Sequence, residues 1–161
     1  MNSKMITGAG IICYFDNTSN IISDLEKDII FLVLEDNKGK YDFPKGCIDF
    51  GEYVYDCAIR ETFEESNISE QDIEEFIVKD LENAHVCGKG LVLFLAKLKT
   101  KAFTNVKIKK NPHTEIFEHK NFYFLKKEEV EKNLPVYLNK SIEWAYNIIK
   151  NNNLWYIWTI N

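Results

Sequence analysis

Two uninterrupted apolar runs constrain this chain more than any other feature. Ile29 to Leu34 and Leu91 to Ala96 contain no polar side chain. A strand that is apolar on both sides of its pleat has to be covered on both faces, whereas a strand with one wet face alternates. A third run, Ile11-Ile12-Cys13-Tyr14-Phe15, follows Gly8, Ala9 and Gly10 and also reads as a strand. The covers come from elsewhere in the chain. Residues 52–66 hold neither Gly nor Pro and predict a helix, closed at Asn67, which tolerates the left-handed conformation that ends helices. Residues 126–133 and 138–150 predict two more, the second with Ile142, Ala145, Tyr146 and Ile149 at helical spacing.

Between these elements the chain is punctuated. Asp36-Asn37-Lys38-Gly39 is a turn, and Tyr41 to Pro44 is a short extended piece, since a residue before proline leaves the helical region. Residues 71–86 read as a turn and then a long strand, joined to the 91–96 strand by the hairpin Cys87-Gly88-Lys89-Gly90. Residues 104–113 form a basic loop and 121–125 an aromatic strand. The pattern predicts an α/β chain, a mixed sheet with helices on both faces.

The chain has 161 residues, enough for one domain spanning 1–161 with a core of its own. Its formal net charge is −5, with Arg60 as the sole arginine. That balance argues against broad electrostatic capture of nucleic acid, and DNA is not expected as a partner. No apolar run approaches the ~18 residues of a membrane span. The first ten residues, MNSKMITGAG, lack a signal-peptide pattern, so a cytoplasmic location is expected. Cys13, Cys47, Cys57 and Cys87 form no CxxC pair and read as reduced, mostly packed thiols, with spacings unsuited to structural zinc.

The chemistry concentrates in Gly46 to Ile68, GCIDFGEYVYDCAIRETFEESNI. On a helix, Glu61, Glu64 and Glu65 fall within an arc of about 100°. Ile59 and Phe63 lie opposite, and that side is expected to pack against apolar neighbours. Arg60 adjoins the acidic stripe, and Glu52, one turn before the helix body, is a candidate partner for its guanidinium. Gly46 follows Pro44-Lys45 and lets backbone approach a ligand closely. Clustered carboxylates of this kind suit a hard divalent cation, Mg²⁺ or Mn²⁺, and such an ion suits diphosphate oxygens. A solvated acidic face is the plainer alternative.

This segment resembles the Nudix box, G-x5-E-x7-R-E-U-x-E-E-x-G-U, with Gly46, Glu52, Arg60, Glu61, Glu64, Glu65 and Ile68 in register. Thr62 stands where the motif has an aliphatic residue, and Asn67 where it has glycine. The joint match of six such positions is on the order of one in ten million per window, too rare for coincidence. The resemblance implies a Nudix fold over most of the chain, a mixed sheet between helices. It implies hydrolysis of a nucleoside diphosphate linked to another moiety, with Mg²⁺ or Mn²⁺. It makes Glu61, Glu64, Glu65 and the Lys45 carbonyl metal ligands, and Glu52 and Arg60 the pair that orients the helix.

Two further stretches bear on substrate. Asp42-Phe43-Pro44-Lys45-Gly46 is similar to the corresponding segment of mRNA-decapping enzymes and diadenosine polyphosphate hydrolases. Glu118-His119-Lys120-Asn121-Phe122-Tyr123-Phe124-Leu125 looks like the E-H-x-x-Y-x-W-L element of asymmetric diadenosine tetraphosphate hydrolases. In that comparison Glu118 adds a carboxylate to the metal site, with Glu115 as a rival. Lys45, Lys89, Lys107, Lys109 and Lys110 are candidates for the polyphosphate path, and Lys45 is favoured. Tyr137, Phe43 and Tyr53 are candidates for stacking on a base. His85 reads as structural; Trp155, Tyr156 and Trp158 cap the core or form a contact surface. The expected substrate is a small-molecule nucleotide, a dinucleoside polyphosphate such as diadenosine tetraphosphate. An RNA 5′ end, as in decapping, and a non-catalytic nucleotide-binding regulatory module are the alternatives.

Overall fold

The structure is a computed structural model that describes residues 5–88 and 90–159, the side chains of 153–159 excepted. Lys89 and the side chains of Trp155, Tyr156 and Trp158 therefore lie outside the described residues. In chain order the elements are β1 (Gly8–Asp16), β2 (Ile29–Asp36), β3 (Tyr41–Asp42), β4 (Lys45–Cys47), α1 (Val54–Ser66), β5 (Ile73–Val78), β6 (His85–Cys87), β7 (Leu91–Leu98), β8 (His119–Lys126), α2 (Lys127–Glu131) and α3 (Asn139–Thr159).

The fully apolar runs occupy the middle of one mixed sheet. β1 runs parallel to β7 and antiparallel to β2 and, at its start, to β4. β2 carries β8 along most of its length and β3 at its far end. Side chains of β1 alternate between two cores. Ala9, Ile11, Cys13 and Phe15 pack with Cys57 and Ala58 of α1, while Ile12 and Tyr14 pack with Leu138, Ile142 and Ala145 around α3. The predicted helix–sheet–helix sandwich is thus observed, with Phe31, Phe94, Leu32 and Leu95 fully buried. Each such side chain contributes roughly 1.5–3 kcal/mol of burial.

The expected long strand over 71–86 is interrupted. Ser69 and Asp72 cap a short 3₁₀ turn by reciprocal hydrogen bonds, and β5 and β6 then pair with successive stretches of β7, Val78 opposite Leu95 and His85 opposite Leu93. Residues 79–84 leave the edge in a turn held by Asp80, whose side chain accepts the Asn83 amide at 2.9 Å. Local Asx bonding outcompetes the ladder there. The hairpin into β7 forms as expected, Cys87 facing Leu91.

Two glycines let the site assemble. A Cβ at Gly10 would collide with the backbone of Pro44 and Lys45, so glycine permits β4 to lie directly on β1. A Cβ at Gly46 would collide with the Glu61 carboxylate. α1 begins at Val54 rather than at 52, and ends where expected: Asn67 has φ 65° and donates its amide to the Phe63 carbonyl.

The predicted facing of α1 needs correction. Ile59 joins the core, but Phe63 is 43% exposed, with the Lys109 ammonium 3.6 Å from its ring centroid. The buried residues are Cys57, Ala58, Thr62, Glu65 and Ser66, on the side that carries Glu61. Small residues let the helix sit close to β4, where the Cys57 thiol reaches the Cys47 carbonyl at 3.4 Å. The acidic stripe is therefore turned toward the sheet edge rather than away from the core.

Candidate active site

A cavity of about 700 Å³ opens where α1, β3, β4 and the segment before β8 converge. Seven carboxylates line it (Asp36, Asp42, Asp49, Glu61, Glu64, Glu65 and Glu118) against Lys45, Arg60 and two histidines. Carboxylates in such numbers repel an anionic substrate unless cations come between.

Arg60 organises one wall. Its Nε and Nη2 donate to the two oxygens of Glu52 at 2.7 and 3.0 Å. Its Nη1 donates to Glu61 at 2.9 Å and Glu64 at 3.2 Å, and its Nη2 also reaches the Cys47 carbonyl at 2.9 Å. The guanidinium thereby ties α1 to β4 and holds the Glu52 carboxyl below its ordinary range. Glu52 itself sits in a turn before α1, its carboxylate accepting the Asp49 amide at 2.9 Å. The Glu52–Arg60 pair anticipated from the motif is present as a bidentate fork.

Glu65 lies deeper, 9% exposed, and accepts the Lys45 amide at 3.2 Å. Burial, reinforced by the Asp42 charge, pushes its carboxyl up to about 9. Burial raises Glu61 as well, despite Arg60. A carboxyl left in that state is a strong claimant for a cation. Glu118 lines the same recess as Glu61, Glu64 and Glu65, and its carboxylate accepts from the Asn111 side chain at 3.1 Å. Glu115, its rival, has φ 57° in the preceding turn and is absent from the lining. Among the described residues no set of three side chains already stands in coordination geometry. Glu61 and Glu64 are instead drawn to Arg60. The donor set nevertheless suits a hard cation, because every candidate ligand is an oxygen.

The remaining candidates separate. The Lys45 ammonium bonds Asp42 at 3.0 Å and lies 5.9 Å from the Tyr137 ring centroid. Tyr137 is 45% exposed and, like Tyr53, does not line the cavity; its tie to the site is through Lys45. Phe43 is 0% exposed within the α3-side core, which corrects its assignment to substrate: a side chain buried on all sides offers no face to a base. Tyr53 is well exposed but does not line the cavity. Lys109 donates to the Phe63 carbonyl at 3.3 Å, near the C-terminal end of α1, where a cation complements the helix. His85 stacks on Trp144 with centroids 5.2 Å apart, away from the cavity.

Asp42 and His119 belong to the site although no sequence motif gives either of them a role. Asp42 Oδ2 meets both the Lys45 ammonium and, at 3.3 Å, His119 Nε2, and both residues line the cavity. Only the pairing of β2 with both β3 and β8 brings positions 77 residues apart together. The adjacency of His119 to Glu118 was the one available hint.

The fold and this acid-lined cavity define a hydrolase of phosphoanhydrides. The NUDIX domain family matches residues 14–144, so the chain belongs to the Nudix family, as a pyrophosphohydrolase. Solved structures agree in fold. A C. elegans Ap4A hydrolase in a binary complex superimposes with TM-score 0.69 at 22% identity, over 91% of this chain and 99% of that one. The C. elegans Ap4A hydrolase in a second structure gives 0.62 at 23%, over 90% and 98%. The NUDIX domain of Shewanella oneidensis NrtR, complexed with ADP ribose, gives 0.61 at 13%, over 90% and 88%. No curated protein matches the sequence. Among the described residues, no helix is long and apolar enough to cross a membrane.

Proposed function

We propose that this enzyme hydrolyses a phosphoanhydride bond of a dinucleoside polyphosphate such as diadenosine tetraphosphate. The observation that carries the reading is the recess whose lining brings together Glu61, Glu64, Glu65 and Glu118, three of them on the helix tied down by the Arg60–Glu52 fork. Nudix hydrolases generally use divalent ions, and these four carboxylates with the Lys45 carbonyl would hold Mg²⁺ or Mn²⁺. Bound there, the ion would neutralise diphosphate charge and acidify a water. Arg60 and Glu52 fix the helix that carries three of the carboxylates. Lys45, neutralised in part by Asp42, meets phosphate oxygens, with Gly46 backbone alongside, and Tyr137 takes a base. Two cores sharing one sheet support reading the chain as one domain, and four free cysteines suit a cytoplasmic location.

A capped RNA end would use the same carboxylates, but the sequence pI near 5.3 offers no broad basic face for a long RNA. The test is a panel: purified protein with Mg²⁺ and diadenosine tetraphosphate, capped RNA, ADP-ribose or nucleoside triphosphates, with products separated. Diadenosine tetraphosphate is expected to turn over fastest, and Glu65→Gln to lower its turnover by about 10³-fold with the fold intact. Preference for another substrate, or full activity in Glu65→Gln, overturns the reading.

A further inference from the structure

Two exposed aromatic side chains near the acidic cavity each have a lysine beside them, and of the two only Phe117 is part of the cavity lining. One is Tyr137 with Lys45. The other is Phe117, with the Lys110 ammonium 5.6 Å from its ring centroid. Phe117 lines the cavity yet stays 46% exposed, and its neighbour Ile116 is exposed as well. An apolar pair held open to water at the mouth of an acid-lined cavity has no packing role that accounts for it.

The segment that carries it is tied down. Asn111 bonds the backbone amides of His113 and Thr114 through its side chain, at 2.8 and 3.3 Å. Its own amide donates to the Ile116 carbonyl at 2.9 Å, and its carbonyl accepts from Glu115 at 2.8 Å. Asn37 in the turn after β2 reaches the Phe117 carbonyl at 3.5 Å. Phe117 also directly precedes Glu118, so the ring and a carboxylate of the recess are carried by adjacent residues of the same segment.

We propose that Phe117 is the platform for the second nucleobase of the substrate, a different aromatic from the Tyr137 assigned to the first, with Lys110 meeting the phosphate next to that base. This inference rests on the dinucleoside reading above and adds the residue that distinguishes a two-base substrate from a one-base one. Stacking on an aromatic side chain strengthens the hold on a base whatever its identity, because every base presents a π-face. The rings are sequence-tolerant, so any purine would be held.

The experiment compares diadenosine tetraphosphate with adenosine 5′-tetraphosphate, each with Mg²⁺, for wild type, Phe117→Ala and Phe117→Tyr. In Phe117→Ala the preference for the two-base substrate, as a ratio of kcat/KM values, is expected to fall about tenfold or more, the factor by which one lost stacking contact weakens binding. The loss should reside in KM rather than kcat, and tyrosine should restore it. An unchanged ratio, or a loss carried by kcat, overturns the platform. Equilibrium dialysis of diadenosine tetraphosphate separates the two ideas. If wild type binds it without cleaving it, the turnover reading falls. The platform then stands if Phe117→Ala retains it more weakly and falls if both retain it equally.

Discussion

Thr62→Val is expected to stabilise the protein, and the reason is legible at one atom. Thr62 is 1% exposed, in the motif position that otherwise holds an aliphatic residue, and its hydroxyl has no hydrogen-bond partner among the described residues. The nearby Ser66 hydroxyl is already committed to the Thr62 backbone carbonyl at 2.6 Å. Burying an unpaired hydroxyl costs about 1–3 kcal/mol. Valine keeps the branched shape, so no cavity opens, and helix propensity hardly changes. The net gain should be about 1–2 kcal/mol. In a chain of this size that raises Tm by roughly 2–8 °C. Thr62→Ser keeps the hydroxyl and deletes a methyl, so it should lose about 1 kcal/mol. Thermal and guanidinium unfolding of the three proteins should therefore order valine above threonine above serine. A valine variant no more stable than wild type would show the hydroxyl to be satisfied and refute the reasoning.

Other consequences follow from the same geometry. Arg60→Lys keeps a charge but cannot reproduce the fork to Glu52 together with the bonds to Glu61, Glu64 and Cys47, so it should cost about 1–3 kcal/mol, discounted for the partial exposure of Arg60. An unshifted denaturation midpoint would contradict that. With its carboxyl raised to about 9, Glu65 is protonated at neutral pH before metal arrives, so Mg²⁺ uptake should release a proton and tighten as pH rises from 7 to 9. Calorimetry in two buffers of different ionisation heat reads this directly, and equal heats would exclude it. Burial lowers the His85 pKa, and its Nε2 has no partner among the described residues, so the folded state resists protonating it. Its stability contribution is present above the unfolded value near 6.5 and is lost as pH falls below it, while His85→Phe should flatten that slope between pH 7 and 5. Identical pH slopes for the two proteins would assign the effect elsewhere.

The sequence by itself determined the parts whose signal is local. Unbroken apolar runs demanded a sheet covered on both faces, because no alternation was available to present a wet side. The acidic helix, its left-handed end at Asn67 and the partner for Arg60 were legible because the relevant residues all lie within one short stretch, 52–67. Tertiary structure decided what depends on distant chain. Phe43 and Phe117 are the same residue type, yet packing buries one in the α3-side core and leaves the other open at the cavity mouth. Periodicity placed Phe63 against the core, but the close seating of α1 on β4 handed that role to Cys57, Ala58 and Thr62. Asp42 and His119 meet only because β3 and β8 both pair with β2, a register set by the whole sheet. Helical spacing can be read along a chain; which face meets the sheet edge is a balance of burial over all the strands at once.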